Sequence, residues 1–413
     1  MIPAVAAPPK HTSGVRHAVV ALGFCLGLVL FLDRAALSVM APSIRRDLHL
    51  GPAAMGAVFT AFVWGYALLN LPAGALCDRY GARRMLTAIV LLWSAFTALT
   101  AAAWDLISLL GIRFLFGAAE SGATPGVSQS YARWIPVVER ARAQGFYLAG
   151  MSAGVALAPP LVTAAMMRWG WRVTFQALGA AGVVWAAAWF LWYRDDPQIG
   201  RAPERELPAA AVRVDWRKVL ATPGLWALLL MYFTYGYTGY IYITWFPSYL
   251  IEGRHLAPGL AGTLAAAPGV FGLFAKPFGG WISDRLTARF GLRAGRCSVG
   301  MIGFGLAAIA VIPGLLVSNP YWAAMLLATG DGAAALAHGV CLAVCIDTGM
   351  ERAGTISGMM LTAGSLGNAA SALAFGTFLE FTGSWTAPFL LGVAANAAGA
   401  LLWLKIHPER PFV

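Results

Sequence analysis

Hydrophobic residues run along this chain in long blocks separated by short polar stretches. Twelve such blocks occur, near 18–42, 52–77, 84–103, 106–130, 142–165, 171–193, 222–250, 259–283, 297–317, 321–346, 353–378 and 384–406. Each approaches or exceeds the roughly 20 apolar residues that cross the hydrocarbon of a bilayer as a helix. Gly and Pro inside the blocks do not argue against that reading, because neighbouring helices satisfy the backbone groups they free in a membrane. Strings of small residues such as AAALAHG and GNAASALAFG suit close contact between helices.

The longest polar stretch, YRDDPQIGRAPERELPAAAVRVDWRK at 193–218, falls near the middle of the chain and is rich in charge and proline. It reads as a linker between two halves of six helices each. The predicted organisation is a tail at 1–17, one six-helix bundle at 18–193, a linker at 194–221, a second bundle at 222–406 and a tail at 407–413. The halves echo each other. GALCDRYGARR begins at Gly74 and GWISDRLTARFGLRAGR at Gly280, 206 residues apart. Parallel repeats about an axis along the membrane normal are a transporter architecture.

Composition agrees. Hydrophobic residues make up 59% of the 413 positions and charged residues 11%, against about 25% charged in a soluble domain. Too few charges exist to coat a soluble fold of this size, and a mean hydropathy of +0.69 points to lipid. A soluble enzyme, a disordered chain and a nucleic-acid binder are excluded. The net charge of +11 has a simpler source in the loops. With the N-terminus in the cytoplasm, loops on that side hold 21 Lys and Arg and the outer loops five, the bias expected of cytoplasmic segments. Both termini are therefore expected in the cytoplasm. The N-terminal stretch lacks the short apolar region and cleavage site of a signal peptide. The five cysteines form no CxxC pair with metal spacing. No P-loop, nucleophile–base set or metal cluster stands out, so ATP-driven transport, catalysis, a metal and a cofactor are not expected.

Gly74, Asp78, Arg79, Gly81, Arg83 and Arg84, with the second copy at Gly280, Asp284 and Arg285, resemble the loop signature of the major facilitator superfamily. The resemblance implies an all-α membrane protein of twelve transmembrane helices in two pseudo-symmetric six-helix bundles. It also implies that Gly74, Asp78, Arg79, Arg83, Asp284 and Arg285 form an inner-side latch that stabilises the outward-facing state. In the second copy Leu286 and Thr287 stand where the first has Tyr80 and Gly81. FLDRAALSVMAPSI (31–44), FVWGYALLNLPAG (62–74), RFLFGAAESGATPG (113–126) and TWFPSYL (244–250) look like the anion:cation symporter branch. That branch includes bacterial sugar-acid carriers and animal sialic-acid and vesicular glutamate carriers, whose members move carboxylate anions, often with protons.

Ionisable groups inside a membrane cost about 2.5 kcal/mol or more each on insertion scales, so each needs a reason. Asp33 and Arg34 lie about fifteen residues into the first block. Arg113 and Glu120, seven residues apart in the fourth, share one helix face. Arginine is planar, always charged and bidentate, so Arg34 and Arg113 suit a substrate carboxylate. They cannot release a proton, which leaves coupling to Asp33 and Glu120. Relatives in the branch use the matching acids and arginines in this way. The resemblance also assigns a substrate hydrogen bond to Tyr66 and a polar cavity position to Asn368. In the seventh block Tyr235, Tyr237, Tyr240 and Tyr242 surround one helix, and Tyr240 with Thr244, one turn apart, is the expected cavity face.

Three groups match the branch less well. Lys276 lies two turns before Asp284, at the place of Asn70 in the first half, and snorkelling is its simplest reading. Asp331 and His338, two turns apart in the tenth block, are compatible with a second proton relay, with a substrate contact or with packing. The expected protein is a monomer of a bacterial inner membrane that imports a small organic anion, such as a sugar acid, with protons. A facilitator or exchanger without proton coupling is the alternative. The expected partners are that anion, protons and the lipid bilayer, with no nucleic acid.

Overall fold

The computed structural model describes residues 13–135, 137–195, 220–349, 353–410 and Phe412. Among the described residues the architecture is helical throughout, with no strand. In the first half α1 is Ser13–Asp47, α2 Pro52–Tyr80, and α3 Ala82–Leu99. Helix α4 is Leu106–Glu120 continued by Ala123–Trp134. One helical stretch, Val137–Trp192, is divided by non-helical Gly170 (φ 76°, ψ 166°) into α5 (137–169) and α6 (171–192). In the second half α7 is Pro223–Thr244, extended by Phe246–Ser248 and a π-turn at Tyr249–Gly253. Helix α8 is Pro258–Ala265 and Ala267–Phe290, α9 is Leu292–Leu316, and α10 is Pro320–Ala335 and His338–Gly349. Helices α11, Ala353–Thr382, and α12, Thr386–Leu402, complete the second half.

The sequence dictates most of these ends. Pro52, Pro223, Pro258 and Pro320 stand in the first turns of their helices, where a missing N–H costs nothing. Asp105 and Ser108 form a capping box at the start of α4. The Ser108 hydroxyl and backbone amide hold the Asp105 carboxyl below the usual range. Gly81 ends α2 at φ 82° and Gly291 ends α8 at φ 89°, a region where a side chain is strained. This explains the imperfect second copy of the loop signature. The turn glycine follows Asp78 by three residues but Asp284 by seven, because α8 runs about one turn further.

Nine stretches among the described residues are long and apolar enough to span a membrane, and one of them, Gly145–Trp192, contains both α5 and α6. Helices α7 and α11 are the two remaining spans. They carry the tyrosines and threonines of α7 and Ser365, Asn368 and Ser371 of α11, which lower their mean hydropathy. Helices α2 and α11 meet along the boundary between the halves. A Cβ at Gly56 would lie 2.5 Å from the Ala372 carbonyl oxygen, and one at Gly376 would lie 2.3 Å from that of Pro52.

The buried core divides by depth. On the side away from the linker, one continuous apolar cluster draws on both halves, from Ala36, Met40, Phe59 and Phe175 to Trp245, Phe246, Phe375 and Phe389. Trp245 stacks on Phe375 at 5.1 Å and meets Phe59 edge-on at 5.6 Å. Towards the linker the core splits into two. One cluster holds Val90, Trp93, Tyr147 and Trp189 of the first half, and the other holds Leu228, Val340, Cys345 and Trp403 of the second. Polar contacts follow the same division. Among the described residues, those joining the halves lie on the far side or near the middle: Arg45 Nη1 to Glu252 Oε2 at 2.7 Å, Ala53 N–H to Glu380 Oε2 at 2.8 Å, and the Thr60 hydroxyl to the Ala369 carbonyl at 3.1 Å. Among the described residues, the contacts that join the halves gather on the far side and near the middle.

Candidate substrate site

Four charged side chains of the first half meet in the middle of the fold. Arg34 of α1 donates from Nε to Glu120 Oε1 of α4, forming an ion pair. Its guanidinium lies over the rings of Tyr66 (4.7 Å), Phe31 (5.0 Å) and Phe62 (5.0 Å), which fix its plane. Glu120 is 1% exposed, while Arg34 keeps 20% of its side chain accessible. The arginine is therefore the member of the pair that a ligand can reach.

Arg113, one layer towards the far side, is 2% exposed. Its Nη2 donates to Thr100 Oγ1 at 3.2 Å, and Phe116 and Phe175 flank the guanidinium at 5.0 Å each. Its Nε has no partner. Asp33 is 1% exposed and faces Trp93 and Thr97 of α3. Neither of its carboxylate oxygens, nor Trp93 Nε1, nor Thr97 Oγ1 takes a hydrogen bond. Asp33 thus sits inside the first bundle, behind the surface that Arg34 presents, and within electrostatic reach of Arg113 and Glu120. The α3 partners were legible in principle. Ser94, Thr97 and Thr100 form a polar stripe at three-residue spacing in an otherwise apolar block.

The second half meets this cluster through Tyr240 of α7, which packs on the first-half core and interacts electrostatically with Arg34, Arg113 and Glu120. Thr244, grouped with it on sequence grounds, is turned inward. It is 2% exposed, and its hydroxyl donates to the Tyr240 carbonyl at 2.6 Å. Asn368 sits where α7 and α11 cross. With its amide oriented by the hydrogen-bond network, it donates to the carbonyls of Gly236 at 3.0 Å and Gly364 at 3.2 Å. These bonds tie α7 to α11 and leave the amide oxygen as its free end.

Asp331 of α10 points at α7, where a Cβ on Gly239 would lie 4.0 Å from its Oδ1. His338 does not bond to it. The imidazole lies against Tyr235 at 5.4 Å and Tyr232 at 6.4 Å, with Nδ1 unpartnered. Lys276 of α8 is half-buried, and the charge of its ammonium is felt at Asp331 and His338.

Of the latch residues, the side chains of Gly74, Asp78 and Arg79 lie outside the described part of the structure. Arg83 donates to the Phe190 carbonyl at 2.9 Å, and its backbone N–H donates to Asp195 Oδ1 at 3.1 Å. Asp284 pairs with Arg296 at 2.7 Å, which also reaches Asp347 at 3.1 Å, and Arg285 lies over Trp281 at 3.9 Å. Every one of these contacts stays within its own half.

Two helical bundles meet on the far side, and four charged side chains gather inside the first. Residues 23–372 match the Major Facilitator Superfamily. The chain belongs to that superfamily. It is 30% identical to a probable sulfoacetate transporter of Cupriavidus necator over 97% of this chain and 95% of that one. It is likewise 30% identical to the hexuronate transporter of Bacillus subtilis, over 92% of each chain. A probable L-galactonate transporter of Escherichia coli is 28% identical over 92% of this chain and 87% of its own. Such relatives agree with the organic-anion branch that the motifs resemble. Among solved structures, a bacterial homologue of the human lysosomal transporter Spinster, inward-facing and unoccupied, superposes with a TM-score of 0.76 at 21% identity over 95% of both chains. A D-xylose–proton symporter does so with a TM-score of 0.76 at 15% identity over 95% of this chain and 98% of its own. The fold is that of the major facilitator superfamily, and both fold and relatives are those of transporters, not enzymes.

Proposed function

We propose that this superfamily member imports a small organic anion, with a sugar acid as the leading class, together with protons. The observation that carries the reading is the Arg34–Glu120 pair beside Arg113 and a buried Asp33, facing Tyr240 across the boundary between the halves. Relatives named for sulfoacetate, hexuronate and galactonate transport supply the substrate class. Protonating Glu120 breaks its hold on Arg34, whose exposed guanidinium then takes the carboxylate of the cargo. Arg113 supplies the second cation, and Tyr66, Tyr240 and Asn368 supply hydrogen bonds to the rest of the molecule. Asp33, while ionised, offsets Arg113 in the empty site, and a second proton on it frees Arg113 for the cargo. With one carboxylate bound, one proton leaves the site neutral and two leave one positive charge, and the loaded site crosses the membrane as the halves rock.

The arginine-rich linker side is the cytoplasmic face of a bacterial inner membrane under the same reading, and the state joined on the far side is inward-facing. The protein works as a monomer, since each half supplies part of one central site. Gly74, Asp78, Arg79, Arg83, Asp284 and Arg285 engage across the cytoplasmic side only when it closes.

The test is proton movement into liposomes holding the purified protein, with an imposed pH gradient as the sole energy source and a panel of carboxylates. One anion carrying protons with it supports symport. An anion that crosses with no proton movement overturns the coupling and leaves a facilitator or exchanger.

A further inference from the structure

A cavity of about 520 Å³ lies on the far side where the two halves meet. Arg45 and Arg46, in the last turn of α1, line it from the first half, and Ile251, Glu252 and Pro258 line it from the second. Arg45 Nη1 holds Glu252 Oε2 at 2.7 Å, and its Nε donates to the Leu50 carbonyl at 3.4 Å. The cavity therefore already seats a carboxylate, one that belongs to the protein and ties the halves together.

Arg46 is the uncommitted charge. It is exposed, and its Nε donates to the Pro42 carbonyl at 3.3 Å, while its terminal nitrogens bond to no described residue. The acid next in sequence is engaged elsewhere. Asp47 Oδ2 accepts from Trp171 Nε1 at 2.7 Å and from Arg172 Nη1 at 3.1 Å. The lining thus holds two guanidiniums against one carboxylate, an excess of one positive charge that a monoanion cancels. The dipole of α1 accounts for cations in its last turn. It does not account for an acid reaching them from the opposite half. Nor does it account for walls of Pro42, Ile251 and Pro258, on which the carbon body of an organic anion can rest.

Position links this cavity to the central site. Arg45 lies eleven residues beyond Arg34 on α1, three helical turns and about 16 Å, so both arginines stand on one face. Ser38 and Ala41, at the intervening turns of that face, are buried. An anion on Arg45 is one step above Arg34, and the face between them is covered while the halves are joined.

We propose that this cavity is a receiving site for a small organic anion, separate from the central site, and that the anion loosens the far side by taking Arg45 from Glu252. Its carboxylate is held first by Arg46, the free guanidinium, and then by both arginines. On Arg45 one carboxylate replaces another, and Glu252, partly exposed already, turns to water. What is lost is the tie between α1 and the segment that follows α7. Binding at the cavity stands by itself, whereas its service to transport rests on the anion-carrier reading above.

The test uses the full-length protein, freed of its own cysteines, with spin labels at Ile107 in the first turn of α4 and at Leu316, the last residue of α9. These positions are 77% and 78% exposed and lie at the far side of opposite halves. Pulsed electron-spin distances give the ratio of far-side-open to far-side-joined molecules. Sodium gluconate is the probe, and sodium chloride at equal ionic strength is the control, because salt alone weakens an exposed ion pair. Gluconate is expected to raise the open population by up to about fivefold over chloride, the limit for one exposed pair. Arg46→Gln is expected to remove most of that response. Glu252→Gln is expected to reach the same opening without gluconate and to gain little from it, since both act on one contact. With Arg34→Gln and Glu120→Gln introduced together to disable the central site, the response is expected to persist. A response equal in gluconate and chloride, one that survives Arg46→Gln, or one lost with the central pair overturns the inference. Those outcomes leave the anion-carrier reading intact, which fails instead if the wild type moves no carboxylate in liposomes.

Discussion

The Arg34–Glu120 pair couples stability to transport at a single contact. Glu120 is fully buried, and Arg34 keeps a fifth of its side chain accessible. Removing one partner of a buried pair costs about 3–5 kcal/mol, and the accessible edge of Arg34 places this pair at the lower end. Glu120→Gln should therefore lower the thermal midpoint, and Arg34→Gln added to it should recover part of the loss. A double variant no more stable than Glu120→Gln alone would show that the pair contributes nothing beyond its separate charges. In transport, Glu120→Gln and Asp33→Asn are expected to abolish uphill uptake driven by a pH gradient and to preserve exchange of anion for anion. If both variants still accumulate substrate against its gradient, the coupling assignment is wrong. Arg113→Lys replaces a planar fork with a point charge. Losing one charge-assisted hydrogen bond of about 1.5–3 kcal/mol raises the KM by about 10- to 100-fold, measurable by initial-rate uptake.

At the scale of helices, α2 and α11 close the far side because neither has a side chain where the other's backbone passes. Gly56→Val and Gly376→Val each place carbon where a carbonyl oxygen already lies. Both are expected to disfavour the far-side-closed state without unfolding either bundle, since each half keeps its own core on the linker side. A cysteine at buried Ala41, seven residues from Arg34 and so on the same face of α1, in a chain otherwise free of cysteine, reports the change. Its labelling from the far side should rise in the valine variants, and unchanged labelling would mean that the helices accommodate the extra carbons. The capping box of α4 responds to pH. Because Ser108 lowers the Asp105 carboxyl, the cap's contribution is present above the ordinary carboxylate range and is lost as pH falls through the depressed value. Asp105→Ala should remove that acid-side dependence, seen as the difference between melting curves near neutrality and in acid.

The state of the whole molecule is set by a few contacts across the far side. Arg45 and Glu252 are partly exposed, at 15% and 30%, so their ion pair contributes no more than about 1 kcal/mol. Glu252→Gln is then expected to raise the far-side-open population by up to about fivefold, read by the same cysteine at position 41. A larger shift would mean that this pair is the main lock and the aromatic cluster around Trp245 is not. Asp284 pairs with Arg296 inside the second half, so that pair does not join the halves.

The spans, their number and the internal repeat were readable along the chain, because transfer into lipid acts on each segment by itself and demands about 20 apolar residues wherever they occur. The buried charges were readable for the same reason, since Asp33, Arg34, Arg113, Glu120, Lys276 and Asp331 each break a block that lipid alone would keep apolar. What those charges touch was decided by tertiary packing. Arg45 and Glu252 are 207 residues apart and Arg34 and Glu120 are 86 apart, and a helical block carries no record of which face meets which neighbour. Thr244 illustrates this, since its spacing from Tyr240 puts both on one side of α7 while its hydroxyl bonds to its own helix. His338 likewise turns to Tyr235 and away from Asp331. Lys276 shows the same limit most plainly. Its cost in lipid was legible in one residue, but its electrostatic link to Asp331 exists only once α8 and α10 are packed, because a side chain's partners depend on helices that the chain brings together from far apart.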